Sequence, residues 1–320
     1  MRCRSTGACR PVASGLTGGR TLVPALARIL RMSRSCQTAG AVGAAGRHKV
    51  KRMQASVTAI GSFPASSGQR RPAVQVSGLR KAFGTQPLYD GFDLELPANS
   101  FTSVFGPNGC GKSTLINMMA GLVPYDSGQI LFDGRDVREV TIGYVFQNYR
   151  DALFPWWRAR ENIEYPLKIR GMNARQRSER VEELVAQFDV RFDLNRRPYE
   201  FSGGQQQLIS ILRALAPRPE IVFLDEPFSA LDYEMTLFIR EKLQAVFVQS
   251  RVTMILVSHD LEDAVYLADR VLMLTRRPTR VAAIVPFELP YPRTDATLHH
   301  PQFIAAKRRS LEVFQREVSR

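Results

Sequence analysis

The chain has 320 residues, 44% of them apolar, enough for one large α/β domain or two small ones with a buried core. Its formal charge of +14 is concentrated at one end: residues 1–72 hold 13 of the 44 Lys/Arg and none of the 30 Asp/Glu, which leaves 31 against 30 over residues 73–320, so the basicity does not mark a nucleic-acid surface on the folded part. No run of 18 apolar residues occurs, which excludes a bilayer-spanning helix, and Cys3, Cys9, Cys36 and Cys110 fit neither a common zinc spacing nor a disulfide scaffold.

Residues 1–72 are rich in Arg, Ala, Gly and Ser without apolar periodicity, the composition of a disordered leader. Three origins fit it: an organelle transit peptide, a start codon placed upstream of a true beginning nearer Met32 or Met53, or an arm for anionic lipid. Order is expected from Ala73. "AVQVSGLRKAF" and "DGFDLELPANS" alternate like strands, and "FTSVF" reads as a buried strand before a glycine loop and a helix over Ser113–Leu122. "GQILFDGRDV" suggests a hairpin segment and "TIGYVFQ" a strand. From Trp156 to about Pro217 the pattern is helical, with Val181, Leu184, Val185 and Phe188 on one helical face. "EIVFLDEP", "VTMILVSHD" and "RVLMLT" are buried strands separated by the amphipathic "YEMTLFIREKLQAVFVQS", and "RVAAIV" and a terminal amphipathic helix close the chain. Buried strands alternating with helices predict a largely parallel sheet.

Two stretches carry chemistry. "GPNGCGKST" satisfies G-x-x-x-x-G-K-[ST] between a strand and a helix. Its glycines let backbone N–H groups close around a phosphate at a helix start, Lys112 reaches the β- and γ-phosphates, and the Ser113 hydroxyl suits Mg²⁺. Cys110 is either a small filler or, beside Lys112, a reactive thiol. In "IVFLDEP", Asp225 and Glu226 emerge at the C-terminal end of a strand, where open α/β sheets bind ligands; Asp225 suits Mg²⁺ and Glu226 a water-activating role. A third stretch, "FSGGQQQLISILRAL", is a second glycine-rich helix start.

Together, "GPNGCGKST", "FSGGQ" (201–205), "LDEPFSALD" (224–232) and "VSHD" (257–260) resemble the nucleotide-binding subunit of ATP-binding cassette (ABC) transporters, over about residues 73–290. The resemblance implies a P-loop α/β fold with a mixed, mainly parallel sheet core, an antiparallel β subdomain, an inserted helical subdomain at about 155–217, and a tail over 291–320. It implies ATP and Mg²⁺ as ligands and a head-to-tail dimer in which the signature of one subunit faces the γ-phosphate held by the other. The ATP-binding positions are then Gly106, Pro107, Asn108, Gly109, Cys110, Gly111, Lys112, Ser113 and Thr114, with Ser202, Gly203, Gly204 and Gln205 in trans. Phe201 stands where the family more often has leucine. Phe83 matches the ring that stacks on adenine, with core packing as the alternative for a lone Phe. Gln147 matches the glutamine that joins Mg²⁺ and water to the permease contact, His259 the switch histidine, and Asp232 the loop that crosses the dimer interface. The catalytic set is Glu226, His259, Lys112 and Gln147; the metal set is Ser113, Gln147 and Asp225.

The segment after Gln147 corresponds to the groove for a membrane subunit, with Phe154, Trp156 and Trp157 as anchors or as packing residues. "VPFELPYPRTDATLHHPQF" is similar to the endings of nitrate, sulfonate and taurine importer ATPases. The reading is therefore an importer ATPase, peripheral on the cytoplasmic face of a membrane, with a permease, a second cassette and indirectly a solute-binding protein as partners, and no nucleic acid. Competing readings are a soluble ABC ATPase acting on nucleic acid or ribosomes, or an exporter subunit. The single cassette and the roughly 90 residues between phosphate loop and signature, too few for a long coiled coil, weigh against the first.

Overall fold

Alternation builds the first sheet. In the computed structural model, which describes residues 72–318 apart from Ala230 and Arg251, β1 (Pro72–Phe83) and β2 (Gln86–Pro97) form an antiparallel hairpin and β4 (Ser127–Leu131) pairs with the other edge of β1. Phe92, Leu94 and Leu96 point inward while Asp93 and Glu95 face water, the period of two that a sheet covered on one face requires. The leader, with its three possible origins and Cys3, Cys9 and Cys36, lies outside the described residues.

The second sheet has the strand order β5 (Ile142–Val145), β6 (Ile221–Asp225), β7 (Thr253–Val257), β3 (Phe101–Phe105), β8 (Arg270–Leu274), β9 (Val281–Pro286). All pairs are parallel except β8 with β9. Every residue of β3, β6 and β7 is buried, because helices and the first sheet cover both faces; this is why these strands read as continuous apolar runs. Side chains alternate between two cores. Val104, Phe223, Ile255 and Leu272 pack with the antiparallel sheet and the helix α1 (Lys112–Met119). Phe101, Val222, Leu256 and Val271 pack with the other helices.

Helix α1 stops at Met119, short of the expected Leu122, since Gly121 at φ +70° turns the chain and Leu122 N–H closes on the Asn117 carbonyl at 2.9 Å. Between β5 and β6 lie α2 (Tyr149–Ala152), α3 (Ala159–Ile169), α4 (Ala174–Gln187) and α5 (Gly203–Leu215). Asn173 and Gln176 cap α4 reciprocally, and Val181 and Leu184 bury its apolar face. The long α6 (Tyr233–Ser250) precedes β7, and α7 (Leu261–Leu267) precedes β8. The last helix, α8 (Pro301–Val318), inserts Phe303 and Ala306 into the helical core. Because β3 lies between β7 and β8, the loops leaving β3, β6 and β7 open side by side at the C-terminal edge of the sheet, the position where such sheets bind ligands.

Candidate nucleotide site

The loop 106–111 connects β3 to α1. Gly111 adopts φ +100°, a conformation that L-residues avoid, and a Cβ there would lie 2.9 Å from the Leu88 side chain. Lys112 is buried and donates from Nζ to the carbonyls of Gly106 (2.9 Å) and Pro107 (3.2 Å), so its ammonium lies across the concave side of the loop. Pro107 is buried, while Asn108 and Gly109 are exposed at the loop crest. Cys110 is 1% exposed and burial pushes its thiol up, against the smaller opposing pull of Lys112. Of the two readings of this cysteine, its burial favours the filler, since a shielded thiol is disfavoured as thiolate. Thr114 follows Ser113 in the first turn of α1.

The Ser113 hydroxyl donates to Asp225 Oδ1 at 2.9 Å, across 112 residues of chain. Asp225 is 5% exposed, and burial raises its carboxyl above the ordinary range, with Glu226 beside it adding to the shift, despite the hydrogen bond it accepts from Ser113. Glu226 stands at φ +46°, strained for a non-glycine residue, with its N–H fixed to the Val257 carbonyl at 2.9 Å. Its Oε2 accepts from Gln147 Nε2 at 2.9 Å and lies 3.4 Å from His259 Nδ1. One carboxylate thus gathers side chains from the ends of β5, β6 and β7. The Ser113 hydroxyl and the Asp225 carboxylate are oxygens of the kind that Mg²⁺ takes beside phosphate and water, so the pair suits that ion. No cluster of three or more His, Cys, Asp or Glu suited to a metal occurs among the described residues.

Six predicted residues, Phe83, Ser202, Gly203, Gly204, Gln205 and Asp232, lie apart from this cluster. Phe83 ends β1 with its ring 53% exposed and Lys81 Nζ 5.3 Å from the ring centre, so it is available for stacking and is not core. Ser202 caps α5: its hydroxyl accepts from Gln205 N–H at 3.3 Å and Gln205 Oε1 accepts from Ser202 N–H at 3.1 Å. Gly203 and Gly204 form the first turn of that helix, and Gln207 ties it to the Pro227 carbonyl at 2.8 Å, next to Glu226. Among the described residues, 202–205 make no hydrogen bond to the phosphate loop. Asp232 is exposed and caps α6 through Met235 N–H at 2.8 Å. In the segment after Gln147, Phe154, Trp157 and Tyr165 stack on one another at 4.6–5.1 Å, whereas Trp156 is 56% exposed.

Several contacts carry no sequence signal. Tyr144 Oη donates to Asn117 Oδ1 at 2.7 Å and lies 3.4 Å from Asp225 Oδ2. Tyr89 Oη donates to the Gly111 carbonyl at 3.0 Å. Arg277 Nε donates to the Gly109 carbonyl at 2.7 Å and Thr279 Oγ1 to the Cys110 carbonyl at 2.6 Å. Their partners are backbone atoms or lie far away in sequence, so no local spacing announces them.

A phosphate loop between a strand and a helix, with an acidic pair at the neighbouring strand end, defines a P-loop nucleotide hydrolase. Comparison with known proteins narrows this. Residues 89–229 match the ABC transporter family model. An aliphatic-sulfonate import ATP-binding protein of Bacillus licheniformis is 37% identical over 242 residues, covering 73% of this chain and 91% of that protein. An uncharacterized ABC transporter ATP-binding protein of Methanocaldococcus jannaschii is 36% identical over 231 residues, covering 72% and 85%. A dimeric ATP-binding cassette solved with ADP and phosphate superposes with a TM-score of 0.61 at 28% identity, covering 68% of this chain and all of that one. The chain belongs to the ABC transporter ATP-binding family, and it is an ATPase of the cassette type. Among the described residues no helix is long and apolar enough to cross a membrane.

Proposed function

We propose that this chain energises an importer of a small solute of the nitrate, sulfonate or taurine kind by hydrolysing ATP in a head-to-tail dimer. The observation that carries the reading is the convergence of Gln147, Glu226 and His259 beside the Ser113–Asp225 pair. The similarity to a sulfonate import protein over most of its length supports the solute class.

Each residue then has a stated task. The N–H groups of 109–113 and the Lys112 ammonium hold the β- and γ-phosphates. Ser113 and Asp225 would hold Mg²⁺, with Gln147 as a further member of the proposed set, and the ion would supply neutralisation of phosphate charge. Glu226 accepts the proton of a water whose oxygen attacks the γ-phosphorus while the bond to the β-γ bridging oxygen breaks. His259 orients that carboxylate and meets the γ-phosphate. Phe83 stacks on the adenine. The exposed start of α5, with Ser202 and the first-turn N–H groups, takes the γ-phosphate of the partner's ATP, its helix dipole aimed at the anion, and Asp232 lies at that interface. Trp156 is the outward aromatic suited to anchoring a permease helix on the cytoplasmic face of the membrane; a solute-binding protein acts one step removed.

Glu226→Gln tests the reading. It is expected to bind ATP, to slow turnover by about 10²-fold or more, and to elute as a dimer only with ATP in size-exclusion chromatography with light scattering. Turnover at the wild-type rate would remove Glu226 as the base, and a monomer at saturating ATP would remove the dimer.

A further inference from the structure

We infer that the tip of the β8–β9 hairpin braces the phosphate loop from outside, with Arg277 and Thr279 as positioning residues for nucleotide binding. The inference rests on the reading of 106–114 as a nucleotide site.

Three consecutive loop carbonyls each accept a hydrogen bond from a side chain of another segment. Gly109 accepts from Arg277 Nε at 2.7 Å, Cys110 from Thr279 Oγ1 at 2.6 Å, and Gly111 from Tyr89 Oη at 3.0 Å. A peptide group is planar and trans, so its N–H points away from its C=O. Holding these carbonyls outward therefore turns the N–H groups of Cys110, Gly111 and Lys112 toward the concave side. The Cys110 N–H already reaches across the loop to the Pro107 carbonyl at 3.3 Å. Inward-facing successive N–H groups make an anion nest, and side chains that fix the nest in place spare reorganisation on binding.

The brace is itself held. Thr275 N–H bonds the Arg280 carbonyl at 3.0 Å and Arg280 N–H bonds Thr275 Oγ1 at 2.9 Å, closing the hairpin tip. Thr279 N–H bonds the Leu88 carbonyl at 2.8 Å, and the Leu88 side chain lies directly under Gly111. Thr279 is 1% exposed, so its hydroxyl is committed to the loop, whereas Arg277 is exposed and its loss leaves the core untouched. The Arg277 contact is charge-assisted and is the stronger of the two.

The test is the affinity of a fluorescent ADP analogue, read with the kcat and KM of ATP hydrolysis, in full-length Arg277→Ala, Thr279→Val, Arg280→Ala and Lys112→Ala, each checked for an unchanged melting temperature. Loss of one hydrogen bond predicts weaker binding by about 3- to 10-fold for Arg277→Ala and Thr279→Val, with KM rising and kcat little changed, and partial recovery in Arg277→Lys. Arg280→Ala removes a charge from the same hairpin without removing a loop contact and should bind normally. Harm from Arg280→Ala equal to that from Arg277→Ala would replace the brace by bulk electrostatics. If Lys112→Ala loses binding while Arg277→Ala and Thr279→Val bind within two-fold of wild type, the brace alone is overturned. If Lys112→Ala binds normally, the nucleotide-site reading falls first.

Discussion

Asp225 stands where burial and chemistry oppose each other. It is 5% exposed, and desolvation is the largest cause of its raised carboxyl pKa. A carboxyl raised in the fold contributes stability that is fully present below its unfolded value near 3.8 and is lost as pH rises through the folded value. Above that value the fold carries a desolvated charge that the Ser113 hydrogen bond and the nearby Lys112 offset only in part. Asp225→Asn is expected to raise the melting temperature at pH 7 by a few degrees, the scale of about 1 kcal/mol in a domain of this size, and to lose Mg²⁺-dependent turnover; the stability gain should fade toward pH 3. A lower melting temperature at pH 7 would mean that the Ser113 hydrogen bond outweighs desolvation. Gly203 gives a second case. A Cβ there would lie 2.6 Å from Tyr149 Oη, a buried hydroxyl with no hydrogen-bond partner among the described residues, while the next atom, Tyr149 Cζ, is 3.8 Å away. Gly203→Ala should cost about 1–3 kcal/mol from overpacking, and Tyr149→Phe should restore most of it by removing the one clashing atom. Equal melting temperatures for the single and double variants would refute this coupling. Lys112, Ser113, Asp225 and Glu226 stand out in the sequence because the phosphate-loop and acidic-pair patterns are contiguous. Tyr149, Arg277 and Thr279 stay silent in it because their partners are backbone atoms or a glycine brought near only by folding.

At the scale of elements, the buried strands were readable because a parallel sheet with both faces covered demands unbroken apolar runs, as in "IVFLD" and "TMILV". The end of α1 was misplaced because its apolar pattern runs past the turn at Gly121. The tail segment "LPYPR" is similar to the endings of one branch of the family, a likeness that says nothing of its physical task in the fold. Arg293 is 3% exposed and donates from Nη1 to the carbonyls of Val265, Tyr266 and Ala268 at 3.0, 3.0 and 2.6 Å. These are the last carbonyls of α7, which lack intrahelical partners and favour a cation. The guanidinium also stacks 4.2 Å from the Tyr291 ring centre. Since α7 begins just after His259, Arg293 holds the helix that follows that histidine. Arg293→Ala should lower unfolding free energy by about 3 kcal/mol by leaving several buried carbonyls unpaired. Arg293→Lys should recover little, because a single ammonium cannot serve these carbonyls and the Leu289 carbonyl that Nη2 reaches at 3.2 Å, and has no plane to stack on Tyr291. Chemical denaturation measures both, and full recovery by Lys would reduce the role of Arg293 to its charge.

In the described part of the molecule, the six-stranded sheet separates two cores, and the chain ends by completing one of them. Phe303 is 2% exposed, Ala306 5% and Ser310 0%. The Phe314 ring lies 5.2 Å from that of Phe105, the residue directly before Gly106, and Lys307 pairs with Glu262 of α7 at 2.8 Å. Helix α8 is thus packed behind the strand that launches the phosphate loop and behind the helix that follows His259. Removing residues 301–320 should lower the melting temperature by more than 10 °C and weaken nucleotide binding with it, because the strand end at Phe105 loses its cover. A truncated chain that fails to fold would say little about the coupling, so Phe303→Ala in the full chain is the sharper variant. A cavity at that buried ring costs about 3–5 kcal/mol. If α8 belongs to the same cooperative unit, calorimetry will show one transition shifted as a whole, and saturating ATP with Mg²⁺ will raise it in both wild type and variant. If α8 is an appendage, Phe303→Ala will split off a small early transition and leave the main one, and the nucleotide affinity, where they were.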